Sequence, residues 1–551
     1  MPNFYQIQSF TGIEQQADGS LLPVGSARDA RNCCTWDGNL SVAKGYVHHI
    51  ASAILGSDRI LKLIPLRGPG EKFYVVTATK VYAYKSDTWS ALYTFSAALT
   101  TTQIGYLQTM IGTTACLLIA TGSTRILKVK LSDDSVEEFG AGLLSFDGTV
   151  FHFDASTNKV TLNAALTSEG IRHILLDGIT ISGKVYKASD LSSYEGDEIV
   201  LAVALDAAPA VGDAVTVRGG GSEAKCNFLG AYYGRLLAAG DADAPSRLYW
   251  SAISGDGRTI EDWLTVDGSM DASGGYVEVG NESTDPIVGM CVLPSQVLIF
   301  KQLSTWRLYG DRPSSFALEC VEPFSESMSN ASIVTKYGTP YFVTMSGLKT
   351  ISESGVADAF GGIRYLKEFL PTMHSVSNSR GAHADNRMYF TCKVDSSAFY
   401  DDTVLEMDFA TGAIMIRNGF EVADITARDG RLFIVDGSRY VCRFNEGFDY
   451  AGSPISAYWK TQPTDLGVKY FSKQLTNLHM RCSEGNVVVT FRLDDATREV
   501  PRNTFDAKSG YSNIAISADW SRVFSIEFKN AGGSRFCIKG GIDVAFDKEM
   551  R

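Results

Sequence analysis

KFYVVTATKVYAYKSDTWSALYTF, residues 72–95, holds the pattern that decides the fold. An apolar run, FYVV, meets a polar turn; the alternating VYAY follows, then KSD, then the aromatic-bearing WSALYTF. Short runs of β-branched and aromatic residues between Gly, Asp, Asn and Ser make strands and tight turns rather than helices.

The unit recurs along the chain. TMIGTTACLLIATGSTRILKVKLSDDSVEEF (109–139), FLGAYYGRLLAAGDADAPSRLYWSAI (228–253) and IVGMCVLPSQVLIFKQLSTWRLYG (287–310) repeat it. SIVTKYGTPYFVTMSGLKTISESG (332–355), the stretch 382–418 and ITARDGRLFIVDGSRYVCRFNE (425–446) continue the series. A spacing of about 40–50 residues is the period of a β-propeller blade. One four-stranded sheet cannot bury both of its faces, whereas stacked blades can. The expected fold is therefore all-β: a β-propeller of six or seven blades, since the first and last units can share one.

Two regions break the period. Residues 141–225 are strand-like but lack the unit, and read as a small inserted β-domain ending in the linker RGGGS, 218–222. Beyond 452 the alternation becomes cleaner, as in a terminal β-sandwich with one wet face. The expected organisation is an N-terminal arm and first propeller segment (1–60), blades (61–140), the insertion (141–225), further blades (226–452) and a sandwich (453–551). Only SARDARNCC (26–34) and GGIRYLKEFL (361–370) suggest helix.

Composition agrees with a folded β-protein: 551 residues, 45% hydrophobic and 11% aromatic, with 52 glycines and 15 prolines. The formal charge of −12 disfavours a general nucleic-acid binder, which carries a basic surplus. Ten cysteines without a C-x-x-C pair fit buried thiols in a reducing cytoplasm. The first residues, MPNFYQIQSFTG, lack a basic region followed by an apolar run, and no stretch reaches the roughly 18 apolar residues of a membrane span; neither a leader nor membrane insertion is expected.

Chemistry is sparse. The seven histidines (His48, His49, His152, His173, His374, His383, His479) show no metal-ligand spacing, with the adjacent His48 and His49 the pair most worth following. There is no G-x-S-x-G elbow, no phosphate loop and no repeated sialidase-type aspartate box. The acid pairs Glu261-Asp262, Asp401-Asp402 and Asp494-Asp495 sit on adjacent positions, which on a strand face opposite ways. Asp241, Asp243 and Asp256 lack calcium-loop spacing and read as turn residues. No catalytic residue, metal or cofactor is expected.

RLYWSAISGDGRTIEDWLTVDGSM, 247–270, is the most unusual segment. Its Arg247, Tyr249, Trp250 and Ser251, then Asp262 and Trp263, lead into Asp285 and Gly289, Phe300, Lys301 and Trp306, and Gly310, Pro313 and Phe316. In that order these residues resemble a pattern of tailed-bacteriophage virion proteins, the packaged-DNA stabilisation and tail-nozzle group of β-propellers. Residues 27–32, 37–40 and 45–46 are similar to the same family's opening, and the likeness covers about 1–60 and 226–450, with 141–225 departing from it. The resemblance implies a structural role for these residues, with Tyr249 and Trp250 packing between blades and Trp263 folding back as a plug. It implies a virion protein of the tail or neck that forms a ring, commonly of six subunits, continuing the DNA channel below the portal and adaptor. Such a ring retains the packaged genome, docks tail fibres or a needle, and lets duplex DNA pass without sequence specificity. The alternative is a glycan-binding, host-recognition propeller using aromatics such as Trp89, Trp306 and Trp459; a polysaccharide-degrading propeller is a third.

Overall fold

In four of the blades the second strand is buried along its whole length, because it has sheet on either side and packed side chains on both faces. Phe73–Thr77, Arg235–Ala239, Val297–Lys301 and Arg387–Cys392 all behave this way in the computed structural model. The structure describes residues 3–15, 23–66, 71–140, 144–166, 171, 174, 178–204, 207–218, 225–254, 259–263, 271–280, 285–323, 326–352, 355–359, 366–493, 498–499, 503–506, 512–516 and 519–549.

The fold is all-β and of β-propeller type. Four-stranded antiparallel blades are built from residues 60–94, 105–138, 228–278, 287–323 and 334–358. Two more share one nine-stranded sheet. The 15-residue strand Ile414–Arg428 closes the sixth blade along its first half and opens the seventh along its second. Arg431–Asp436 and Val441–Phe444 continue the seventh blade, and Tyr46–His48, from before the first blade, completes it.

The chain divides into two compact units, Met1–Ala91 with Glu326–Arg551, and Leu92–Ser325. In the smaller unit the first strands of successive blades, Gly105–Ile111, Phe228–Tyr232 and Ile287–Val292, lie side by side. In the larger, Val334–Lys336, Gly381–Ala384, Ile414–Arg428 and Ile60–Pro65 do the same. The stretch 144–218 forms a separate seven-stranded sheet whose core includes Phe146, Val160, Ile179, Ile199 and Val217.

A sandwich of two six-stranded sheets lies in the larger unit, and its strands come from both ends of the chain. Asn3–Ile7 pairs with Cys537–Lys548, and Ala27–Arg31 with Tyr458–Thr461. Phe10, Trp459 and Phe528 meet edge-on or tilted in the shared core, with ring centroids 5.0–6.1 Å apart. The strands from Asn3–Ile7 to Leu40–Val42 therefore belong to the sandwich sheets, and Tyr46–His48 is the first strand that joins a blade.

The helix expected over 26–34 is not formed: Ala27–Arg31 and Cys33–Cys34 are strands. A register shift between Ala27 and Asp29 inserts one extra residue, so the buried Ala27 and Ala30 fall three apart and imitate a helical spacing. Of the second expected helix, 361–365 lies outside the described residues; Leu366 is helical, and the short 3-10 turn Leu370–Thr372 follows. All ten cysteines are free thiols, and seven are buried. Among the described residues no helix is long and apolar enough to cross a membrane.

Candidate functional site

The segment 247–316 lies wholly in the smaller unit. Trp250, Trp306 and Phe316 pack in the core shared by the third and fourth blades, whereas Tyr249 and Trp263 pack in that shared by the second and third. Arg247 opens the third strand of its blade; its Nε donates to Glu278 Oε1 at 2.6 Å and its guanidinium lies 4.3 Å over the Tyr276 ring. Two positions on, Tyr249 points to the same face and donates its hydroxyl to Asp241 Oδ2 at 2.8 Å. Burial and the Asp241 carboxylate push its phenol up, away from any acid–base role. Trp250 faces the other way and meets Phe316 edge-on at 5.4 Å. Ser251 is buried: its Oγ accepts the Leu236 amide at 2.9 Å and donates to the Ala252 carbonyl at 2.8 Å.

The rest of the pattern is tied down in the same manner. Asp262 gives its carbonyl to the Ala252 amide, and Trp263 is buried against Tyr249 and Phe139. Asp285 accepts from the Leu303 amide and from Ser304 Oγ, each at 2.8 Å. Lys301 donates to the Val279 carbonyl at 2.6 Å, beside Asp285, and Trp306 donates its indole N–H to Ser304. Gly289 pairs with the buried Phe300 next to a bulge. Pro313 is buried at the start of the turn Pro313–Ser315. Asp256 and Arg258 lie outside the described residues.

Gly310 is required by its backbone. At φ +103 it lies where side chains are strained, and a Cβ would stand 2.4 Å from the Ser315 carbonyl oxygen. Gly310→Ala is expected to cost about 2–3 kcal/mol, read as a lower urea midpoint at unchanged slope.

The members of each described acid pair take different surroundings, Glu261-Asp262 in a turn and Asp401-Asp402 on a strand. Glu261 is buried on Lys128, 2.7 Å away, while Asp262 is partly exposed. Asp401 accepts from Thr391 Oγ, whereas Asp402 caps the Val394 and Asp395 amides. Asp241 accepts the Asp243 amide, an ordinary turn contact, and Asp494-Asp495 lies outside the described residues.

In the larger unit a cavity of about 900 Å³ opens between the segment 9–14 and two turns of the sixth blade. Its lining carries Glu14, Asp37, Asp385, Glu406 and Asp408 against the single cation Arg387. Arg387 bridges Glu406 and Asp408, and Asp408 also accepts the Ala410 and Thr411 amides. The two carboxylates share the Arg387 guanidinium and Glu406 also takes Arg417, an arrangement suited to structure rather than to proton transfer.

One side-chain cluster escaped the sequence reading. His48, Asp436 and Cys442 bring one ligand atom each to within 4.8 Å of one another. His48 drew notice in the sequence and Cys442 read only as a buried thiol; strand register, which no local spacing encodes, brings them to Asp436.

No family model matches the chain, and no curated protein matches it. Among solved structures, the chain is similar to the computationally designed Ika8 protein, at 11% identity and a TM-score of 0.36, over 72% of this chain and 99% of that one. The AfRom2 CNH domain is similar at 10% identity and a TM-score of 0.36, over 73% and 99%. PorZ, a bacterial surface component of the type-IX secretion system of Porphyromonas gingivalis, is similar at 10% identity and 0.27, over 86% and 48%. Likenesses at this level carry no argument about activity.

Proposed function

We propose that this chain is a structural protein of a bacteriophage tail or neck, which assembles into a ring around the DNA path and acts through contact area rather than chemistry. The observation that carries the reading is the fate of the segment 247–316. The polar groups of Arg247, Tyr249, Ser251 and Asp285 each have a partner within their own blade, so the pattern that gives the resemblance is spent on blade structure. What remains for partners is broad surface, including aromatic side chains exposed at or near turns: Tyr337, Phe151 and Phe399. Apolar groups presented this way suit large subunit interfaces. The net charge of −12 suits a channel wall along which duplex DNA moves without sticking.

Negative-stain microscopy with light-scattering mass, alone and with a portal–adaptor complex of the same phage, tests this. Closed rings with an opening wide enough for duplex DNA are expected in at least one condition. A chain that stays monomeric in both overturns the reading.

The glycan-binding alternative shifts to other residues. Trp89 and Trp459 are buried and Trp306 is half-buried, but Tyr470 and Trp520 are exposed on either side of the bridge between Lys473 and Ser521. Retention on host cell-wall polysaccharide that is lost in a Tyr470→Ala, Trp520→Ala double variant would favour it.

A further inference from the structure

His48, Asp436 and Cys442 share one sheet face by register. His48 pairs directly with Cys442, and Cys442 with Ile434. Asp436 lies two residues beyond Ile434, hence on the same face. His49 alternates to the opposite face, toward Glu71, Phe73 and Phe433.

We propose that His48, Asp436 and Cys442 form a transition-metal site of the zinc-like class, which pins the strand Tyr46–His48 to the seventh blade. The donor set of one imidazole nitrogen, one carboxylate oxygen and one thiolate suits borderline ions, whereas magnesium and calcium select all-oxygen sites. His48 Nε2 and Asp436 Oδ2 stand 3.8 Å apart. In a tetrahedral site ligand atoms stand about 3.3–3.6 Å apart, from metal–ligand bonds of about 2.0–2.3 Å. All three donor atoms lie within 4.8 Å of one another, so a bound ion would draw them closer.

The surroundings orient the donors. The Tyr440 amide donates to Asp436 Oδ1 at 2.8 Å, leaving Oδ2 to face His48. The Tyr440 ring stacks on His48 at 4.1 Å, only 8° from parallel, and sets its plane. Outer contacts of this kind fix ligand direction in metal sites. Asp436 and Cys442 are buried, where an ionised carboxylate or thiolate without a counter-charge is costly. A dication would offset that cost, and the thiol proton would leave to solvent on binding. The half-exposed histidine side leaves a fourth position for water or a residue of a partner.

The consequence is mechanical. The clasp would join a strand that precedes the first blade to the hairpin of the last, closing a long loop where cross-links restrict the unfolded chain most.

The test uses the full chain, reduced, stripped with chelator and titrated with cobalt(II). The expected result is one ion per chain, with a thiolate-to-cobalt charge-transfer band in the near ultraviolet that zinc(II) displaces. His48→Gln and Cys442→Ser should each weaken binding by at least the roughly 10–100-fold known for outer-contact changes. Cys320→Ser, which removes an exposed thiol elsewhere, should leave it unchanged. His48 is part-exposed, so His48→Gln is expected to fold even where the buried Cys442→Ser does not. Zinc should raise the melting temperature of the parent chain and no longer do so with His48→Gln. Absence of the band, its persistence in His48→Gln, or its loss in Cys320→Ser each overturns the proposal.

Discussion

Glu406→Ala is expected to destabilise the larger unit by about 3–5 kcal/mol, because it leaves two buried guanidinium groups without their shared carboxylate. Glu406 sits on the buried strand Asp401–Asp408, directly opposite Tyr389 on one side and Met415 on the other. Both arginines reach it diagonally: Arg387 is paired with Asp408 and Arg417 with Val404. One carboxylate oxygen takes Arg387 and the other takes Arg417, the latter at 2.9 Å. Burial works against the Arg417 charge, and Glu406 together with Tyr450 and Tyr389 more than offsets it, so its guanidinium stays above the ordinary value. Arg417 also donates to the Lys44 carbonyl and to Asn445, so the knot fastens the chain just before the strand that completes the seventh blade. Urea unfolding of the single variant should show the midpoint fall. The double variant Glu406→Leu, Arg417→Met, which keeps Arg387 on Asp408, should recover part of the loss, since apolar groups tolerate that space better than an unpaired charge. A single variant within about 1 kcal/mol of the parent, the scale of a surface pair, would show that water reaches the site.

How much of this was readable in the sequence depends on the range of the interaction. Strands and turns are local, and they were legible. The polar pairs Ser86-Asp87 and Asp385-Asn386 sit at hairpin tips with positive φ at both residues, the conformation such residues favour there. Pairing partners were not legible. Asn3–Ile7 finds its partner in Cys537–Lys548 because that sheet edge is open in space, and nothing in NFYQI names it. The long strand Ile414–Arg428 read as the end of one unit and the start of another; only the structure shows the chain running through both blades without a break. Bulges were the local features that misled, turning 26–34 into an apparent helix. Site chemistry failed for the same reason as pairing: His48 and Cys442 are neighbours by register, so no motif spacing can announce them.

Asp424 carries the second large effect, and it shows how bulges are used. The register slips between Val422 and Asp424 on one strand and between Ile60 and Lys62 on another, and these two irregularities face each other. A bulge re-aims the side chains beside it, and here that brings a carboxylate to a lysine in the interior. Asp424 is fully buried; its Oδ1 takes Lys62 Nζ at 3.1 Å and its Oδ2 takes the Leu63 amide at 2.6 Å. Arg380 Nε stands 3.5 Å from the same carboxylate and donates from Nη2 to the Leu61 carbonyl. Burial pulls the Arg380 guanidinium below its ordinary value, with Asp424 opposing that pull. Asp424→Ala thus strands two cations and an amide together, for an expected loss of about 3–5 kcal/mol. Asp424→Asn keeps an acceptor for Leu63 and should cost less. The damage should also be local: amide exchange across Ile60–Pro65 should quicken well before the sandwich strands Tyr458–Thr461 and Phe524–Asn530 change. Uniform quickening across both regions would mean that the blades and the sandwich unfold as one, and that Asp424 serves the whole unit rather than the seam between the first and seventh blades.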